Sequence, residues 1–98
     1  MTLLYPPRIW TLDEGEAITI NPPSAIMTGY KTASLRVAIV EYLTRIPVKY
    51  LDYPPRTKTA AVNVKLDQRI ELRAFYVNRE GKVISGVSNT LVWGSIPN

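Results

Sequence analysis

Apolar residues recur at every second position over much of this chain. Ile18 and Ile20 flank Thr19, and Val62, Val64 and Leu66 are separated by Asn63 and Lys65. Ile70, Leu72, Ala74 and Tyr76 alternate with Glu71, Arg73 and Phe75 in the longest such run. Period-two spacing puts one set of side chains on one side of a pleated backbone, so each segment predicts a strand with one buried face. Leu91 and Trp93 add a last strand. Between the segments stand turn formers: Pro6-Pro7, Gly15, Pro22-Pro23, Gly29, Pro47, Pro54-Pro55, Gly81, Gly86 and Gly94. Short β-branched and aromatic segments punctuated this closely predict an all-β sandwich or barrel.

The stretch from Thr32 to Ile46 fits two periods. Leu35, Ile39, Leu43 and Ile46 trace a helical stripe that Ser34 would cap, while Leu35, Val37 and Ile39 alternate with Arg36 and Ala38. Periodicity alone does not separate helix from strand over residues 34–44. The β-branched Val37, Ile39 and Val40, and strands on both sides, make a central strand the expectation.

Composition narrows the chemistry more than the fold. Ninety-eight residues, 46% hydrophobic and 20% charged, suit a single domain spanning residues 1–98 with one core. The chain contains no His and no Cys. That removes Ser–His and Cys–His nucleophiles, thiolates, disulfides and imidazole-bound zinc, so the expectation is a non-enzyme with no cofactor and no metal. The first residues carry no cationic, apolar leader, and no apolar run approaches the roughly 18 residues of a membrane span. A soluble chain made in the cytoplasm, with no membrane partner, follows.

Charge is uneven. Residues 1–30 carry −2, residues 31–69 carry +5 and residues 70–98 carry +1, making the formal net of +4. The middle segment offers a basic surface to an acidic partner, but its bases are spaced singly, which favours a solvated face over nucleic-acid binding. Asp13, Glu14 and Glu16 around Gly15 are too few for a calcium loop and read as a solvated turn. Arg79-Glu80-Gly81-Lys82 reads as a hairpin with Gly81 at the turn.

Doubled prolines end strands and blunt sheet edges, because proline donates nothing to a ladder. Two of the pairs share a context: Tyr5-Pro-Pro-Arg8 recurs as Tyr53-Pro-Pro-Arg56. Tyr and Arg dominate interface energetics, so Tyr5, Arg8, Tyr53 and Arg56, with Tyr50 and Lys49 nearby, are candidate partner-contacting residues. The plainer reading is that each Tyr covers a sandwich edge with its hydroxyl in water. Both stand.

Two segments carry a family resemblance. Leu12-Asp-Glu-Gly-Glu-Ala-Ile-Thr-Ile20 resembles the turn into the second strand of immunoglobulin-like domains. Leu72-Arg-Ala-Phe-Tyr-Val-Asn78, Arg-Glu-Gly81 and Val87-Ser-Asn-Thr-Leu91 resemble the last two strands of a fibronectin type III domain, with Ile39-Val-Glu-Tyr42 similar to its third. The family's Tyr near the start of the penultimate strand is replaced by Ile70, and its second-strand Trp has no counterpart. Trp10 and Trp93, from the first and last strands, are the candidates to supply that core bulk. The resemblance implies a single immunoglobulin-like, fibronectin type III-like antiparallel β-sandwich of about seven strands.

Such domains act through loops and faces. The expected function is a non-enzymatic structural protein binding protein subunits of a larger assembly, as homo-oligomer or hetero-complex. By analogy with isolated immunoglobulin-like domains of tailed bacteriophages, the expected place is the virion, as a capsid decoration or tail accessory protein. The alternative is a carbohydrate- or surface-binding module, which requires Trp10 and Trp93 to form an exposed flat platform.

Overall fold

The computed structural model describes residues 3–11, 17–62 and 70–93. Along them run β1 (Arg8–Thr11), β2 (Ala17–Asn21), α1 (Ser24–Thr28), β3 (Ser34–Glu41), β4 (Pro47–Tyr53), β5 (Thr59–Ala61), β6 (Ile70–Val77) and β7 (Leu91–Trp93). The strands form two antiparallel sheets, β1-β2-β5 and β4-β3-β6-β7. The fold is all-β, as the alternation predicts, and the described residues form a sandwich of seven strands, as the resemblance implies. Ile9, Ile18 and Ile20 from the first sheet meet Leu35, Val37, Ile39, Ile70, Leu72, Ala74 and Tyr76 from the second in one buried cluster. Apart from β1, whose Ile9 stands alone, each of these sets is the period-two set of its own strand.

The ambiguous stretch resolves as β3 to Glu41, with every residue from Ser34 paired to β6. The helical stripe fails at its far end, where Leu43 is 82% exposed and Ile46 also faces solvent. A tight turn there is organised by Glu41. Its carboxylate accepts the amides of Leu43 and Thr44 at 3.3 and 2.7 Å, while its own amide donates to the Ile46 carbonyl. Hydrogen bonding by the Thr44 side chain, and then by the Thr44 and Leu43 amides, holds the Glu41 carboxyl below its ordinary range.

Two elements lack a sequence signal. β4, Pro-Val-Lys-Tyr-Leu-Asp-Tyr, is the mostly exposed edge of its sheet, so burial imposes no alternation on it. α1 is a single five-residue turn after Pro22-Pro23, anchored by the fully buried Ile26. Of the alternation from Val62 to Leu66, only Val62 lies within the described residues; it is buried just past β5. The acidic turn at Asp13, Glu14 and Glu16 lies outside the described residues.

Trp10 does not supply core bulk. It alternates with buried Ile9 on β1 and is 43% exposed; the Trp93 side chain lies outside the described part. Tyr76, fully buried on β6, fills that role, and its hydroxyl has no hydrogen-bond partner among the described residues. Burial raises its pKa to about 12.

The segment between β6 and β7 is irregular. Ile84 donates its amide to Tyr76 and Ser88 donates its amide to Ala74, so four residues on one side span two on the other. This bulge leaves the amides of Tyr76 and Ala74 facing no carbonyl, and buried Ser85 and Ser88 accept them through their hydroxyls at 2.8 Å each. The bulged backbone turns to the N-terminal segment. Leu4 donates to the Ile84 carbonyl and accepts from Gly86, in parallel pairing. Pro6-Pro7 then carries the chain across to β1 in the other sheet. A Cβ on Gly86 would sit 3.3 Å from the Pro6 ring, a close approach that suits glycine. Finally, Asn89 clasps Ile9, accepting its amide at 2.9 Å and donating to its carbonyl at 2.8 Å.

Two expectations follow. Ser85→Ala and Ser88→Ala each strand a buried amide, and each is expected to lower unfolding free energy in urea titrations by about 1–3 kcal/mol. Tyr76 contributes to alkaline stability. Unfolded tyrosine releases its proton near pH 10, while folded Tyr76 holds it to about 12. Stability is therefore complete below pH 10 and falls as pH rises to 12, by roughly 2–3 kcal/mol from this group. Tyr76→Phe is expected to remove that loss and the latest step in tyrosinate absorbance, without reducing stability at pH 7.

Candidate interaction surfaces

The two Tyr-Pro-Pro-Arg segments occupy different settings. In the first, Pro7 is buried and Arg8 opens β1, while Tyr5 is 83% exposed. Pairing of Leu4 with Ile84 and Gly86 fixes the backbone on one side, and the proline rings fix φ on the other. Pro22-Pro23, which ends β2 and precedes α1, lies alongside. Tyr5, Arg8, Asn21, Asn89 and both proline pairs line one groove of about 500 Å³. Among the described residues Arg8 pairs with no carboxylate.

In the second segment, Tyr53 ends β4 and Pro54-Pro55 blocks its continuation, leaving Arg56 exposed in the turn toward β5. The Tyr53 ring packs against the core, and its hydroxyl donates to the Ala61 carbonyl of β5 at 2.6 Å. That bond ties one sheet to the other. Desolvation raises the Tyr53 pKa. β1 packs against β6 and β7, whereas Tyr53 joins β4 to β5, so the two motifs lie at opposite edges of the sandwich. The first pair converges on a groove; the second does not join it.

Sequence reasoning missed a third surface, the outer face of the four-stranded sheet. Register places Tyr50, Ala38 and Arg73 in one row across β4, β3 and β6. Asp52, Arg36 and Phe75 form the next row, and Pro47, Val40, Glu71 and Val92 a third that reaches β7. Ala38 is too small to cover its neighbours, leaving a hollow of about 270 Å³ that Tyr50, Phe75, Val40 and Val87 help to wall. Its charges are paired within the face. Arg36 donates to both Asp52 oxygens at 2.8 and 3.2 Å, and the Arg36 guanidinium lies over the Tyr50 ring. Glu71, only 5% exposed, receives Arg45 at 3.4 Å and Arg73 at 3.6 Å. Alternation of Arg36, Ala38 and Val40 against Leu35, Val37 and Ile39 was a readable signal for this face, but the hollow depends on which residues three other strands bring beside Ala38.

Among the described residues no group of three His, Cys, Asp or Glu could hold a metal ion. The surfaces combine aromatic rings with guanidinium groups, residue types that are enriched at protein interfaces in general. No family model matches the chain, and no curated protein is significantly similar to it.

Tyr53→Phe isolates the bond between sheets. It is expected to cost about 0.5–1.5 kcal/mol in chemical denaturation while leaving Tyr5 and Arg8 unaffected.

Proposed function

We propose that this chain is a non-enzymatic interaction protein, a fibronectin type III-like sandwich that joins protein subunits of a larger assembly. The observation that carries the reading is the groove at Tyr5 and Arg8. A large amphipathic ring stands in solvent on a backbone immobilised by prolines and by the Leu4 pairing, so binding it would cost little ordering entropy. Arg8 beside it, paired with no carboxylate among the described residues, supplies a directional cationic donor. The strand order, with β1-β2-β5 facing β4-β3-β6-β7, supports the family resemblance, since the chain passes between sheets after β2, β4 and β5 as Greek-key sandwiches do. Gly81 at φ 82° in a hairpin pinned by Asn78, at the place the resemblance expects, adds to it. The particular setting proposed is a tailed-phage virion, where many weak copies reinforce one another.

One observation favours a second reading, a carbohydrate-binding module: Trp10 lies half in solvent on the outer face of β1, in a row with Thr19 and Thr59.

Hydroxyl-radical footprinting distinguishes the two. In particle fractions from producing cells, Tyr5 is expected to be oxidised about tenfold more slowly than in the free chain, with Arg8→Ala and Tyr5→Ala shifting the chain into the free pool. Saccharide titration is expected to leave tryptophan emission unchanged. Tyr5 oxidised equally fast in free and sedimenting fractions, or a saturable saccharide response, overturns the proposal.

A further inference from the structure

The groove at Tyr5 and Arg8 continues past the tyrosine into a second hollow of about 350 Å³, and the two share Tyr5, Pro23 and Ser24. Chemistry changes along its length. Leu3, Leu4 and Ala25 make one end apolar, with Leu3 54% exposed. Arg8, Asn21 and Asn89 make the other end polar. Arg8 is the single charged residue lining either hollow, and among the described residues it meets no carboxylate. Both walls are fixed. Leu4 is paired to the bulge on one side, and on the other the Pro23 carbonyl accepts the amides of Ile26 and Met27. The prolines of the walls donate no amides, so a strand laid along them finds no ladder to extend. Recognition there falls to side chains.

We infer that this groove takes an extended, acidic segment of a partner protein, with one carboxylate on Arg8 and one apolar side chain against Leu3, Leu4 and Ala25. The inference rests on the reading of the Tyr5 groove as the contact surface and names what fills it. Charge sets the sign. The guanidinium of Arg8 complements a carboxylate, and the chain's formal net charge of +4 draws an anionic segment toward it. Nucleic acid suits the groove less well, because a phosphate backbone is held by several cations in series and this groove has one.

Length sets the spacing. Tyr5 and Pro6 each precede a proline, which disfavours helical backbone, and the rings of Pro6 and Pro7 fix φ. The stretch from Leu4 to Arg8 therefore runs extended, about 12 Å at the roughly 3.1 Å per residue of polyproline backbone. A partner segment of the same conformation matches it when its acid and its apolar residue stand four positions apart. Proline between those two anchors lowers the ordering cost of docking, as Pro6-Pro7 does for Tyr5.

The test titrates the isotope-labelled free chain with the acetylated, amidated peptide Asp-Pro-Ala-Pro-Leu. Saturable shifts are expected at the amides of Leu4, Tyr5, Arg8 and Asn21, with a dissociation constant below about 1 mM. Asn in place of the peptide's Asp is expected to weaken binding about tenfold, as is Arg8→Gln, and the two changes together to weaken it no further. Arg8 is exposed, so unchanged core amides at Ile18 and Leu72 in Arg8→Gln confirm an intact fold. The peptide Asp-Pro-Leu-Pro-Ala, whose anchors stand two positions apart, is expected to bind at least about fivefold more weakly. No saturable shift by about 5 mM peptide, equal binding of the Asp and Asn peptides, indifference to spacing, or equal shifts with oligothymidylate overturns the inference. Tyr5 protected in particles while the free chain ignores both peptides overturns this inference alone. Tyr5 equally reactive in free and particle fractions overturns the reading beneath it.

Discussion

The amides of Ala74 and Tyr76 are buried on the side of β6 away from β3, and a buried amide left without an acceptor costs as much as several favourable contacts return. A regular neighbouring strand would supply carbonyls, but here the chain bulges, and the hydroxyls of Ser85 and Ser88 take their place. Each hydroxyl also donates onward, Ser85 to the Gly86 carbonyl and Ser88 to the Asn89 carbonyl, so both serines donate as well as accept. The bulge in turn frees the backbone at Ile84 and Gly86 to hold Leu4, and sets Asn89 against Ile9. One local irregularity therefore fastens the first sheet to the second along an entire edge. Tyr53 performs the same service at the opposite edge with one hydroxyl.

The exposed chemistry descends from that arrangement. Because Leu4 is seated on the bulge and Pro7 is buried, Tyr5 between them has nowhere to go but outward. Because the second sheet buries Leu35, Val37 and Ile39 against the core, Arg36, Ala38 and Val40 are left on its other face, and the pairing of Ala38 with Tyr50 and Arg73 produces a hollow rather than a flat sheet. Both surfaces combine aromatic rings with guanidinium groups.

Alternation along Ile18–Ile20, Ile70–Tyr76 and Leu35–Ile39 made the strands and the core legible, since in each case burial of one face imposed the period. Where burial is absent the signal is absent too. β4 is exposed along most of its length and so carries polar and apolar residues without order, and α1 is one turn held by Ile26. The expected bulk of Trp10 proved to be that of Tyr76, because β1 pairs with β2 through the register that places Ile9, not Trp10, inside. The repeated Tyr-Pro-Pro-Arg has one sequence and two environments.

By itself, the sequence determined that the chain is all-β without histidine or thiol chemistry, with short strands ended by prolines and a hairpin turning at Gly81. Those properties are local: strand alternation, turn chemistry and the absence of a residue type need no partner to be read. Tertiary structure alone decided that Ser85 and Ser88 act as backbone acceptors, that Tyr5 and Arg8 share a groove while Tyr53 braces the sheets, and that Ala38 floors a hollow between arginines. Each of these depends on residues brought together across sheets or from distant strands, and the pairing that brings them together is fixed by burial of the whole core at once rather than by any segment of the chain.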